Sequence, residues 1–244
     1  MKVPEEYCVI TADILKWIAL VTMTLDHMAE CVVRGFVIAR GAYLSQQYFQ
    51  IVNTAYNAMR HLGRMAFPLF AFLLVEGFFK TRNRRKYIVR MFLAAFISEV
   101  PFDLMLSGKA VAWETQNTMF TLVIGLLVLW VMAYLEESCH SARWIIVAFQ
   151  AAVCGLGALT AYICKTDYSY KGIALIVVLY LFYHYRESAA VAGFCTFCWE
   201  PWSLPAFALI PFYNGVRRQR TKSFFYLYYP IHLLVLYFIL QMIT

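Results

Sequence analysis

The chain is 244 residues long, 62% hydrophobic and 14% charged, with a mean hydropathy of +0.63 and a formal charge of +7. An average soluble domain is roughly 45–50% apolar and about 25% charged. Composition therefore excludes a soluble domain, a disordered chain and a disulfide-knit secreted module, and leaves a single integral-membrane domain over 1–244.

The positive charge is not spread as a nucleic-acid interface requires. Ten of the 21 basic residues fall in two stretches: Lys80, Arg82, Arg84, Arg85, Lys86 and Arg90, then Arg217, Arg218, Arg220 and Lys222. Between apolar runs, such clusters mark cytoplasmic loops, and no soluble module remains to bind nucleic acid. The seven cysteines lie mostly inside apolar runs and read as small hydrophobes. Cys195 and Cys198 make a CxxC with no second pair and no nearby histidine, so packing outweighs metal or redox chemistry there. The first apolar run lacks a small-residue cleavage site and is expected to stay as an uncleaved span.

A crossing helix needs about 20 apolar residues. In chain order, runs at 14–38, 62–79, 87–106, 117–135, 144–164 and 170–185 qualify or nearly do, and a last one covers 224–243. Residues 39–61 are amphipathic and read as a long connection or interfacial helix. Within 188–213, two short apolar pieces flank Glu200-Pro201-Trp202-Ser203. Parity decides their reading. Four runs lie between the basic clusters, so if both clusters are cytoplasmic 188–213 contributes zero or two crossings, and it is read as a hairpin of two broken at Glu200-Pro201. The expected fold is all-α: a polytopic helical bundle of about nine spans in the cytoplasmic membrane, N-terminus inside. The alternative has one span fewer. Loops 80–90 and 215–223 are expected inside, 107–116 and 165–170 outside.

Ionisable groups within spans are costly and are functional candidates by default. Asp26 and His27 lie in the first span, His27 eleven residues beyond Lys16 and so roughly 16 Å deeper. Adjacent helical residues do not face each other, so Asp26 is expected to orient something other than His27. A structural pair against a neighbouring helix is the plain alternative. His232 lies about nine residues into the last span, roughly 13–14 Å deep, close to the depth of His27. Arg64 opens the second span and can hold an acidic group or a carbonyl oxygen, or simply snorkel to headgroups. Glu99 and Asp103, four apart, share a face if the helix survives Pro101, and are able to pair with Arg64 if they converge with it. Asn117 opens the next span on the same side. Neither buried histidine belongs to a His-x₃-His zinc pair, so no metal is expected. His61, His140 and His184 read as solvated.

The run Lys16 to His27 with Met23 and Asp26-His27 resembles the opening signature of the TraX family, the F-pilin acetylases. Gly63-Arg64, Phe67-Pro68-Leu69-Phe70-Ala71-Phe72 and Glu76-Gly77 are similar to its second motif. Tyr213-Asn214-Gly215, Phe225-Tyr226 and Tyr229-Pro230-Ile231-His232 are similar to its closing one. That family looks like a shortened relative of the wider membrane acyltransferases. There a basic residue stands eleven positions before a first-span histidine, with Arg commoner than the Lys16 found here. The resemblance implies transfer of an acetyl group from cytoplasmic acetyl-CoA, used as co-substrate, to an acceptor at the membrane or its outer face. By family extrapolation that acceptor is a pilin-like N-terminus; a small amine or hydroxyl compound is the other option.

A neutral imidazole can serve as base at physiological pH or attack directly and carry the acetyl group. His27 is the candidate for either role, with Asp26, His232 and Arg64 beside it. Arg64 or a tyrosine hydroxyl from 226–229 is positioned by sequence to meet an oxyanion. Lys16, Arg82, Arg84, Arg85 and Lys86 are candidates for the phosphates of acetyl-CoA. Glu99, Asp103, Asn117 and Tyr229 are candidates for the acceptor. The rival class is a proton-coupled small-molecule transporter, because the same intramembrane acids and histidines can form a proton relay.

Overall fold

A computed structural model describes residues 4–139, 142–216 and 222–243. The elements are helical among the described residues, with two isolated backbone bridges, Ile10 to Tyr213 and Gln116 to Thr166. Helix α1 (Ala12–Met28) starts at Thr11, whose hydroxyl accepts from Ile14 N at 3.3 Å and so caps it. Directly after His27 the helix loosens into a π-turn (Ala29–Val33) and runs on as α2 (Arg34–Arg40). Such turns recur beside functional sites. The chain returns in α3 (Gln46–Gly63), capped by Ser45, and passes through Arg64-Met65 into α4 (Ala66–Lys80).

Residues 39–61, expected as a connection or interfacial helix, are therefore largely helix, and Gln46–Lys80 together form one of four helices long and apolar enough to cross a membrane among the described residues. The others are α6 (Thr118–Ser138), α7 (Arg143–Ile163) and the Phe224–Ile243 part of α11 (Lys222–Ile243). Helix α5 (Arg84–Ser107) is capped by Asn83, continues through Pro101 and stops at Gly108 in the left-handed region, φ 70°. Shorter helices α8 (Ser169–Leu181), α9 (Arg186–Thr196) and α10 (Leu204–Leu209) complete the order. The chain between α9 and α10 breaks at Glu200-Pro201, where proline opens a short 3₁₀ turn.

Helix α4 explains the arrangement. It is apolar nearly all round, and such a helix belongs in the middle of a bundle. Phe67, Leu69, Ala71, Phe72, Leu74, Val75 and Phe78 are buried on it, against α1, α6, α8 and α10. The outward faces are apolar too: Phe92, Phe96, Ile97, Trp144, Phe149, Leu156, Ile163, Leu227, Val235 and Phe238 are exposed. A face of this kind is stable in hydrocarbon and costly in water, so this is a membrane protein.

The bundle has two distinct ends. Lys80 donates to Gly215 O, which joins the end of α4 to the loop before α11. At the opposite end, Gln116 N donates to Lys165 O at 3.0 Å and Asp167 N to Gln116 O at 2.9 Å, joining the 108–117 and 164–168 connections. The basic residues Arg217, Arg218 and Arg220, and His140, lie outside the described residues.

Candidate functional site

Helices α1 and α11 run side by side in the same direction. Thr24, His27 and Cys31 meet Tyr228, His232 and Leu236 in turn: Thr24 Oγ1 and Tyr228 OH are 2.9 Å apart, and Cys31 Sγ lies 3.6 Å from Leu236 O. Between these contacts, His27 Nδ1 and His232 Nε2 are 2.8 Å apart. His232 Nδ1 lies 3.0 Å from the carbonyl of Tyr228. A carbonyl only accepts, so His232 carries its proton on Nδ1, and neutral His232 has a lone pair at Nε2. His27 must then donate from Nδ1. Its Nε2 is left with the lone pair. The second histidine thus selects the tautomer of the first, as orienting partners of catalytic imidazoles do.

Asp26 faces away from His27, towards α3. Its Oδ2 accepts from Arg60 Nη1 at 2.8 Å. A Cβ on Gly63 would collide with the Asp26 side chain, so only glycine lets α3 pass this close. Asp26 Oδ1 is buried and has no hydrogen-bond partner among the described residues, and the buried Tyr229 hydroxyl lies beside Thr118. Orphaned buried groups are costly and call for an explanation.

The loop before α8 closes this end. Lys165, Tyr168 and Ser169 have positive φ (51°, 61° and 45°), a region ordinary side chains seldom occupy. Hydrogen bonds hold the loop: Thr118 Oγ1 donates to Asp167 Oδ2 at 2.6 Å, and Thr121 Oγ1 donates to Thr166 Oγ1 at 2.9 Å. The Tyr168 ring stacks on Phe67 at 3.9 Å between centroids. Strain of this kind gathers at functional sites.

One cavity of about 1000 Å³ connects these groups to the basic end. Asp26, His27, Gly63, Thr118, Asp167, Tyr168 and Tyr229 line its inner part, and Lys16, Lys80, Arg82, Lys86 and Arg90 its rim. From Gly63 to Lys80 is seventeen residues of nearly continuous helix, roughly 25 Å. The walls between are apolar, with Leu20, Phe70, Leu74 and Leu122. Lys16 sits 3.1 Å from Asp13 and over the Phe225 ring.

Several expected site residues are placed differently. Arg84 pairs with Glu137 at 2.9 Å and lies over Phe78, while Arg85 lies over Trp130; neither lines the cavity. Arg64 does not meet Glu99 or Asp103. It faces Glu200 at 3.7 Å and lies beside the Tyr168 hydroxyl. Glu99 Oε2 accepts from Asn117 N at 3.1 Å and also from the Asn117 amide group, and Asp103 Oδ2 accepts from Ala112 N at 2.7 Å. The physical reason is local: backbone N–H groups at the start of α6 and in the preceding loop need acceptors, and the two carboxylates supply them. Asn117 itself caps α6 through Met119 N. None of these three lines the cavity. His232 stands behind His27 rather than on the cavity wall.

Arg60, Asp167 and Tyr168 were not singled out in the sequence. Arg60 sat in a stretch read as a connection. Asp167 carried a signal, an acid in a very short loop between two apolar runs, but nothing in the sequence ties that loop to Asp26.

The family model described as TraX protein matches residues 11–240. A probable fimbrial assembly protein, FimC of serogroup H1, from Dichelobacter nodosus is 26% identical over 253 residues, covering 91% of this chain and 92% of that protein. No solved structure matches the chain. A match over nearly the whole length, through the segments that build this cavity, leaves one assignment: the chain belongs to the TraX family.

Proposed function

We propose that this protein is a membrane-embedded acetyltransferase that takes an acetyl group from acetyl-CoA entering at the basic end. The acceptor is an amine or hydroxyl group, and the fimbrial relative favours a pilin-like N-terminus. One observation carries the reading: a cavity joins a cationic rim to an imidazole whose tautomer is set by a second imidazole. Cations suit the phosphates of the donor, and an apolar passage suits its long, largely uncharged arm.

His27 Nε2 removes the proton from the acceptor as that atom attacks the thioester carbonyl. The carbon–sulfur bond breaks, and the same proton passes from His27 to the departing sulfur. The Tyr229 hydroxyl, on the cavity wall beside Thr118, is suited to donate to the carbonyl oxygen as its charge develops. Asp26, tied to Arg60, holds the inner end of α3 in place. In this reading the basic end faces the cytoplasm, in line with the charge rule.

The test is equilibrium binding of acetyl-CoA to purified protein in lipid nanodiscs. Saturable binding that weakens with added salt is expected. Absence of binding would exclude an acetyl-CoA-dependent enzyme and return the chain to the transporter class.

A further inference from the structure

A second cluster lies at the basic end, away from the histidines. Glu76 on α4 is 3% exposed, an unusual setting for a carboxylate. It is heavily satisfied. Tyr213 OH donates to Oε1 at 2.6 Å, Tyr183 OH donates to Oε2 at 2.9 Å, and Lys80 Nζ lies 2.5 Å from Oε1. Both phenols donate to the one carboxylate.

Two cations extend the cluster to one loop. Lys80 donates to Gly215 O and Arg186 donates to Tyr213 O. Gly215 has φ 79° and lines the cavity rim, as does Lys80. The same loop bonds the start of the chain: Ile10 N donates to Phe212 O at 3.1 Å and Asn214 N to Ile10 O at 2.9 Å. Arg217 and Arg218 follow directly in sequence. Glu76 lies thirteen residues along from Gly63, roughly 20 Å from the inner end of the cavity.

We infer that Glu76 is a positioning residue for co-substrate capture: it fixes Lys80 and the 213–216 loop around the cavity mouth, and takes no part in acetyl transfer. The inference rests on the proposed use of acetyl-CoA. A preorganised cation binds phosphate at less cost in side-chain freedom than a loose one, so the latch favours binding although Glu76 itself is negative.

The test compares the intact wild-type protein with Glu76→Gln, Tyr213→Phe and Glu76→Asp in nanodiscs, measuring acetyl-CoA binding and turnover. Glu76→Gln should weaken binding and raise KM about tenfold, the scale of one charge-assisted hydrogen bond, with kcat within about twofold. Tyr213→Phe, which leaves the charge unchanged, should move KM the same way by less, and Glu76→Asp should recover part of the loss. If Glu76→Gln binds acetyl-CoA as tightly as wild type, or more tightly, the inference is wrong while the function stands. If kcat falls and KM is unchanged, the cluster is only structural and the inference is again wrong. If wild type itself fails to bind, both fall together. Should Glu76→Gln fail to insert or fold, Tyr213→Phe decides the matter: unchanged KM there overturns the inference.

Discussion

Two imidazoles 205 residues apart in the chain share one hydrogen bond, and its direction is set by a carbonyl on the far side of the second ring. The role of His232 follows from this order. His232→Ala should lower kcat by about tenfold, less than the roughly 10²–10⁴ lost with a base itself, while His232→Gln, which keeps an acceptor near the same place, should lose less. Steady-state kinetics of the two variants checks this; equal losses would mean that His232 only fills space. At the rim, charge alone does not identify the useful residues. Arg82 and Lys86 line the cavity, whereas Arg84 is engaged with Glu137 and Arg85 with Trp130. Replacing Arg82 and Lys86 with Gln should raise KM for acetyl-CoA, and replacing Arg84 and Arg85 should not. Gly63→Ala puts a methyl group into the Asp26 side chain; overpacking of this kind costs about 1–3 kcal/mol and should lower thermal stability and activity together.

At the scale of elements, the sequence was informative wherever one segment decided its own fate. The start of α6 at Asn117 and the break at Glu200-Pro201 are local chemistry and were readable, while the caps at Thr11 and Asn83 and the stop at Gly108, equally local, were not singled out. The α1 and α11 faces were half-readable. Positions 24, 27 and 31 fall on one stripe, as do 228, 232 and 236, and similar depth suggested the meeting of His27 and His232. The acids near Arg64 were misread because pairing by depth ignores what backbone groups demand: Glu99 and Asp103 answer nearby N–H groups first. Strain in the 164–169 loop was invisible, since Lys165, Tyr168 and Ser169 are not residues that announce positive φ. Lys165→Gly removes one such cost, offset in part by the freedom glycine gains when unfolded. It should raise the unfolding temperature slightly and leave turnover unchanged. A lower unfolding temperature would mean that the Lys165 side chain supports the loop.

For the whole molecule, charge and apolar run length sorted the connections into two ends, and contacts across each end follow that sorting: Lys80 with Gly215, and Gln116 with Lys165 and Asp167. The continuity of α3 into α4 did not follow from hydropathy, because α3 is too polar to read as part of a crossing. A cysteine placed at Gln219 should be labelled only from the cytoplasmic side in intact cells; labelling from outside would reverse the orientation of the basic end. The proposed acetyl transfer depends on His27 as the base. The most direct test measures His27→Ala for both acetyl-CoA binding and acetyl transfer. The account predicts binding within about twofold of wild type and turnover reduced by roughly 10²–10⁴, because a base acts on the transition state more than on the bound ground state. Near-normal turnover in His27→Ala would contradict it.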